Sequence, residues 1–139
     1  MISPMFGRYL LISLIFLLSL SESPTARAGD AAMIELEILG DPGVGFAGDC
    51  RLTTGKLPEK RYRINGTAPA KYWLPGDAAR CSFAKNAGSM GRLVARLTRR
   101  GVIEVEQTSP PPFRWLTLSS TGPWGDAQGL ASAARPLWQ

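Results

Sequence analysis

The chain has 139 residues, with 16 lysines and arginines against 11 acidic residues, and a formal net charge of +5 at neutral pH. It contains no histidine and only two cysteines. The composition therefore lacks the commonest general base, and two thiols without other ligands cannot make a zinc site. The length accounts for one domain with a modest core.

The first 28 residues have the three parts of a secretory signal peptide. Arg8 precedes an apolar run from Tyr9 to Leu20, and a polar stretch then ends in Ala26-Arg27-Ala28. The small residues at 26 and 28 predict cleavage between residues 28 and 29. Because the apolar run is shorter than the roughly 20 residues of a membrane-spanning helix, we predict no transmembrane segment in the mature chain and a periplasmic or secreted location.

Short runs of two-residue alternation follow the cleavage point, separated by glycine and proline, and they predict β-strands. The first run, Met33 to Leu39, stops at the turn sequence Gly40-Asp41-Pro42-Gly43. The second run, Val44 to Leu52, places Cys50 on its apolar face. We predict that these two runs form a hairpin.

The middle of the chain continues this pattern. Lys60 to Ile64 predicts a strand, and the Asn65-Gly66 that follows is typical of a tight turn. The runs Lys71 to Leu74 and Ala79 to Ala84 flank a Pro-Gly-Asp turn. In the second of these runs Cys81 lies on the apolar face.

Two more runs, Leu93 to Arg99 and Val102 to Gln107, predict strands joined by the turn Arg100-Gly101. Alternation places Ile103 and Val105 on the apolar face of the second run. A triple proline then forces an extended segment before a last short strand.

About eight strands, with a turn every eight to twelve residues, predict an all-β domain over residues 29–121. A small antiparallel β-sandwich of immunoglobulin-like type is favoured over a small barrel. From residue 122 to 139 the chain is rich in glycine, alanine, serine and proline, and we predict a flexible tail. Trp124 and Trp138 are its candidates for docking on the domain or on a partner.

Cys50 and Cys81 are the only cysteines, and export would deliver them to an oxidising compartment, where disulfides persist. We therefore predict a disulfide between them, closing a loop of about 30 residues that contributes roughly 3 to 4 kcal/mol in the chain-entropy model. The bridge would join inward positions on separate strands, as in immunoglobulin-like domains.

The segments Glu37 to Cys50, Gly66 to Leu74 and Cys81 to Phe83 carry the pattern G-D-P-G-V-x-F-x-G-x-C followed by a second cysteine. With these segments the chain resembles an uncharacterised family of small exported bacterial β-domains, over roughly residues 34–118. The resemblance implies a secreted β-domain with the same disulfide. It implies no active site.

The sequence offers few groups for catalysis, since it has no histidine and no cysteine outside the predicted disulfide. A pair of carboxylates is the one arrangement left. Glu35 with Glu37 and Glu104 with Glu106 are the candidates, because each pair projects from one strand face. Alternation of this kind is also what half-exposed antiparallel strands show, and we predict no enzyme, no cofactor and no metal.

Basic residues fall into two groups along the chain. Arg61, Arg63 and Lys71 belong to the first, and Arg92 and Arg96 to the second. We predict that these five residues form a face for an anionic lipid or glycan of the envelope, with an ordinary solvated surface as the alternative. Nucleic acid is not expected as a partner of an exported protein.

The sequence thus predicts an exported, non-enzymatic envelope protein. It would bind an anionic envelope component or a protein partner. A carboxylate-dependent hydrolase and a purely structural envelope protein are the two alternatives.

Overall fold

The computed structural model describes residues 33–136, which form nine β-strands. The strands are β1 (Met33–Gly40), β2 (Gly45–Thr53), β3 (Lys60–Thr67), β4 (Ala70–Pro75), β5 (Ala78–Lys85), β6 (Leu93–Arg99), β7 (Val102–Ser109), β8 (Trp115–Ser119) and β9 (Gln128–Ser132). In this part of the chain we find no helix with the length and apolar character to cross a membrane. The predicted signal peptide and Trp138 lie outside the described residues.

The strands form two sheets in which every pairing is antiparallel. One sheet has four strands in the order β4-β1-β6-β7, and the other has five in the order β3-β2-β5-β8-β9. The predicted all-β antiparallel sandwich is therefore confirmed.

The core lies between the two sheets and consists of the inward residues of each alternating strand. The rings of Phe46 and Phe83 meet edge to face at its centre, with their centroids 5.8 Å apart. Edge-to-face packing is a preferred arrangement of aromatic rings. The other large side chains that are fully buried include Ile34, Leu36, Ile38, Leu52, Leu93, Leu97, Leu116 and Leu118.

The predicted disulfide is present between Cys50 and Cys81, and both residues are fully buried. Cys50 of β2 stands directly opposite Cys81 of β5 in the antiparallel register. The bridge therefore joins two neighbouring strands of the five-stranded sheet, whereas the disulfide of antibody domains joins the two sheets.

The predicted hairpin of the first two strands is wrong, because β1 and β2 belong to different sheets. The chain crosses between the sheets at residues 41–44. Asp41 N–H donates to the Arg92 carbonyl and Gly43 N–H to the Ala68 carbonyl. These bonds tie the crossing to two other loops. Alternation alone could not separate the two arrangements, since both turn the same apolar faces towards the core.

The predicted tight turn at Asn65-Gly66 is also wrong. Both residues lie within β3, where they pair with Ala47 and Phe46 of β2. A Cβ at Gly66 would stand 2.9 Å from the hydroxyl oxygen of Tyr72. The glycine leaves room for that side chain and does not turn the chain.

Strand β7 departs from strict alternation through a β-bulge. Leu97 pairs with Val105 and Thr98 with Ile103, so Glu104 is the extra residue. Val105 packs against the core as predicted, whereas Ile103 faces outwards and is 53% exposed. The predicted shared face of Ile103 and Val105 is therefore wrong.

The five-stranded sheet continues past residue 121, where the sequence predicts the domain to end. Residues 128–132 form β9, which pairs with β8 along its whole length. A Cβ at Gly129 would lie 2.7 Å from the Cβ of Gln107, so β9 also lies close against β7 of the other sheet. This strand belongs to the sandwich and not to a separate tail.

Candidate anion-binding face

The outer side of the five-stranded sheet carries a row of arginines. In the register of β3, β2 and β5, Arg61 stands opposite Arg51, and Arg51 stands opposite Arg80. Each faces away from the core because the neighbouring positions along its strand, such as Cys50 and Cys81, point inwards. Since adjacent strands lie about 4.8 Å apart, the three backbones that carry the row span only about 10 Å.

Two further arginines extend this surface. Arg63 lies on the same side of β3 as Arg61, two residues along the strand and opposite Asp49. Arg135 lies over the ring of Trp115, with its guanidinium carbon 5.9 Å from the ring centroid. We call the surface made by Arg51, Arg61, Arg63, Arg80 and Arg135 the arginine face.

Asp49 is the one acidic residue that the register places among these outward positions of β2, β3 and β5. Its carboxylate Oδ2 accepts a hydrogen bond from Nη2 of Arg61. This bond raises the pKa of the Arg61 guanidinium. Asp49 therefore compensates the charge of one arginine of the face, Arg61.

Burial and neighbouring charges shift the pKa of Arg80. Partial burial lowers the pKa of Arg80, and the guanidinium of Arg51 lowers it further, while Glu59 raises it. Like charges that stand directly opposite each other destabilise a sheet. Arg51 and Arg80 therefore stand as a like-charged pair across β2 and β5.

A groove lies along the arginine face. It has a volume of about 380 Å³, and its lining includes Arg61, Arg63, Arg135, Trp115 and the Asp49 that pairs with Arg61, whereas Arg51 and Arg80 do not line it. Guanidinium groups are planar and bind phosphate or carboxylate through two parallel hydrogen bonds. The groove thus combines arginine donors with the edge of an aromatic residue.

The five basic residues predicted from the sequence do not form one face. Arg61 and Arg63 lie on the arginine face. Lys71 and Arg96 project from β4 and β6 on the opposite side of the sandwich, and Arg92 lies in the loop before β6. The prediction of a single surface is wrong because it grouped residues by their distance along the chain, whereas sheet membership separates them.

The outer side of the four-stranded sheet has compensated charge. In one cross-strand row Lys71 stands opposite Glu37, Glu37 opposite Arg96, and Arg96 opposite Glu106. Lys71 Nζ lies 2.7 Å from Glu35 Oε1, and Arg96 Nε donates to Glu106 Oε2 over 2.7 Å. Opposite charges in neighbouring positions stabilise a sheet. Lys71 and Arg96 are therefore engaged by carboxylates of the protein itself.

Of the four glutamates considered for hydrolysis, Glu35, Glu37 and Glu106 lie on this side of the sheet, whereas Glu104, the bulge residue, turns towards the segment that follows β8 of the other sheet. Glu104 forms an ion pair with Arg99 and accepts a hydrogen bond from the Thr121 N–H. The hydrogen bond from Lys71 lowers the pKa of Glu35. A general acid requires the opposite shift, towards neutral pH. Within residues 33–136 there is no group of three or more cysteine and acidic side chains placed to hold a metal ion.

The ion pair of Glu35 and Lys71 predicts a dependence of stability on pH. Because the pKa of Glu35 is lowered in the folded protein, its ionised form stabilises the fold above the unfolded-state pKa, and this contribution is lost as the pH falls through the folded-state pKa. We expect Lys71→Met to unfold at a lower urea concentration than the wild type at about pH 7. The difference should shrink as the pH falls below about 4.

Tryptophan fluorescence during urea unfolding, repeated across this pH range, measures the effect. Lys56→Met is the matched control, because Lys56 lies in the exposed loop before β3. A difference between Lys71→Met and the wild type that stays constant down to the lowest pH would contradict the assignment of the effect to Glu35.

Comparison of the chain with protein-family models, with curated proteins and with solved structures finds no match. The resemblance to small exported bacterial β-domains stays a prediction.

Proposed function

We propose that the protein is an exported, non-enzymatic module that binds an anionic component of the cell envelope through the arginine face. The observation that carries the proposal is the in-register row of Arg61, Arg51 and Arg80. Three guanidinium groups at directly opposed positions of neighbouring strands concentrate positive charge on this side of the sheet. A ligand that carries several negative charges would match this row.

The chemistry of the row favours phosphate or carboxylate groups. Each guanidinium offers a planar fork of donors, and the spacing of the strands repeats these forks at about 4.8 Å. Such a row fits closely spaced negative groups, as in a layer of anionic lipid headgroups or along an acidic glycan. Trp115 also lines the groove, with the Arg135 guanidinium over its ring.

Two features support an exported location. Disulfides persist in oxidising compartments such as the periplasm and the extracellular space, and Cys50 and Cys81 form one. The signal peptide that the sequence predicts over residues 1–28 agrees with this location.

The arrangement of the carboxylates favours binding over hydrolysis. Glu35, Glu104 and Glu106 each form an ion pair with a basic residue of the same sheet. None of the four is part of the lining of the groove on the arginine face.

The proposal is tested by binding of the oxidised protein to two sources of the same anionic chemistry. One is vesicles of phosphatidylglycerol, compared with vesicles of phosphatidylcholine. The other is a soluble polyuronate, compared with a neutral polysaccharide. We expect binding to at least one anionic source and not to its neutral partner. The affinity should fall steeply between about 0.1 M and about 1 M salt, as the Debye length shortens from about 10 to about 3 Å.

Comparison of vesicle binding with polyuronate binding also identifies which anionic component the protein binds. Binding to the vesicles alone assigns lipid headgroups, and binding to the polyuronate alone assigns an acidic glycan. Equal binding to anionic and neutral partners, or binding that does not respond to salt, overturns the proposal. A purely structural role would then be the stronger explanation.

A further inference from the structure

A buried lysine lies at the C-terminal end of β5, at one end of the sandwich. Lys85 is the last residue of β5 and is only 2% exposed. It occupies an inward-facing position, two residues after Phe83 and opposite Phe46 in the register. Charged residues are almost never this deeply buried unless they are paired.

Within residues 33–136, Lys85 has fewer partners than its ammonium can bind. Its ammonium donates one hydrogen bond, to the carbonyl of Ser109 at a distance of 2.7 Å. An ammonium has three donors, and no carboxylate of residues 33–136 forms an ion pair with it. Burial accordingly lowers the pKa of Lys85, and Asp41 opposes this shift only through its more distant charge.

A cavity of about 220 Å³ lies against this lysine, between the loop that follows β5 and the loop that follows β7. Its walls are largely apolar and include Met90, Pro111 and Phe113. Met90 is 63% exposed and Phe113 is 39% exposed, so apolar side chains line the opening to solvent. Arg114 also lines the cavity, and its Nε donates to the Lys85 carbonyl.

We propose that this cavity, the Lys85 pocket, binds a small organic carboxylate with an apolar body. The carboxylate would accept hydrogen bonds from the Lys85 ammonium and lie near the second cation, Arg114. The apolar body would lie against Met90 and Phe113. The volume is below the roughly 300 Å³ at which pockets begin to hold drug-sized ligands, so the ligand is small, of the size of a short-chain fatty acid or benzoate.

The site is independent of the arginine face. None of the arginines of that face lines the Lys85 pocket, and the two cavities share no lining residue. The proposal therefore stands or falls separately from the proposed function.

Titration of the isotope-labelled protein with hexanoate, hexanol and hexylamine, followed by NMR, tests the proposal. We expect hexanoate to shift the methyl signal of Met90 and to bind at least about tenfold more tightly than the other two, because charged partners make the strongest hydrogen bonds. Equal binding of hexanol and hexanoate would mean a merely apolar cavity and would overturn the proposal, as would no shift with hexanoate.

Substitutions test whether the charge of Lys85 binds the carboxylate of hexanoate. Lys85→Met should weaken hexanoate binding at least about tenfold, whereas Lys56→Met, at an exposed loop position, should leave it unchanged. If Lys85→Met does not fold, Met90→Glu serves instead. It adds a negative charge at an exposed site on the rim and should likewise weaken hexanoate binding, which is followed in this variant by the backbone amide signals of Phe113 and Arg114.

Hexanoate binding that survives in folded Lys85→Met, or in Met90→Glu, contradicts the proposal. The double variant Arg61→Glu/Arg63→Glu should bind hexanoate as the wild type does. Loss of hexanoate binding in that variant would assign the ligand to the arginine face and overturn a separate pocket.

Discussion

Removal of the disulfide by the double substitution Cys50→Ala/Cys81→Ala is expected to lower the free energy of unfolding by roughly 3 to 4 kcal/mol. The cysteines are 31 residues apart in sequence, and the bridge restricts the unfolded chain by closing that loop. A domain of this size has a total stability of about 5–15 kcal/mol. The bridge therefore accounts for a large part of what keeps the protein folded.

Urea unfolding of the double variant, followed by tryptophan fluorescence, measures this change. The wild-type protein under strong reductant is the matched control, because it loses the bridge and keeps both side chains. We expect the reduced wild type and the double variant to unfold at similar urea concentrations, both well below the oxidised wild type. A reduced protein that unfolds at the same urea concentration as the oxidised one would contradict a stabilising bridge.

Reversal of two charges on the arginine face, by Arg61→Glu/Arg63→Glu, is expected to weaken binding to the anionic partner by roughly 30-fold or more. Each basic residue near an anionic surface contributes about 1 kcal/mol, and every 1.4 kcal/mol changes affinity about tenfold. Loss of Arg61 also leaves the Asp49 carboxylate without its hydrogen-bond donor. The face then carries an additional uncompensated negative charge.

The double variant Lys56→Glu/Arg92→Glu is the matched control, because it changes the net charge by the same amount at exposed positions that do not line the groove. We expect it to bind almost as the wild type does, apart from the small effect of net charge. Arg92 was also among the five residues predicted from the sequence, so this control tests that prediction directly. Equal loss of binding in both variants would show that net charge matters and the arginine face does not.

Both double variants must remain folded for this comparison. Arg61 and Arg63 lie on β3, at the edge of the five-stranded sheet, and both side chains are exposed. Substitutions at exposed positions usually change stability by no more than about 0.5 kcal/mol. Circular dichroism and the urea midpoint of each variant verify the fold before binding is compared.

The sequence around the two cysteines contains a pattern that predicts part of the arginine row. Arg51 directly follows Cys50, and Arg80 directly precedes Cys81. If two cysteines stand opposite each other on antiparallel strands, the residue after one stands opposite the residue before the other. The predicted disulfide, taken as a pairing of neighbouring strands, would therefore have placed Arg51 against Arg80. The comparison with immunoglobulin-like domains, whose disulfide joins two sheets, does not predict this pairing of Arg51 with Arg80.

No sequence pattern of this kind predicts the Lys85 pocket. Lys85 ends a run in which Cys81 and Phe83 share the inward face, and a lysine at the end of such a run is ordinarily solvent-exposed. Its burial depends on Ser109 and the loop after β7, which lie more than 20 residues away in sequence. Only the folded chain brings these segments together.

The sequence by itself determined eight of the nine strands, their inward faces apart from Ile103 of β7, and the disulfide, because side chains alternate along a strand with a period of two and only two cysteines exist. The tertiary structure alone decided which strands are neighbours. It separated β1 from β2, kept Asn65-Gly66 inside β3, added β9 to the sheet and put Lys71 and Arg96 on the side opposite Arg61. The physical reason is that cross-strand register joins residues distant in sequence, and it depends on the packing of two whole sheets, which local alternation does not specify.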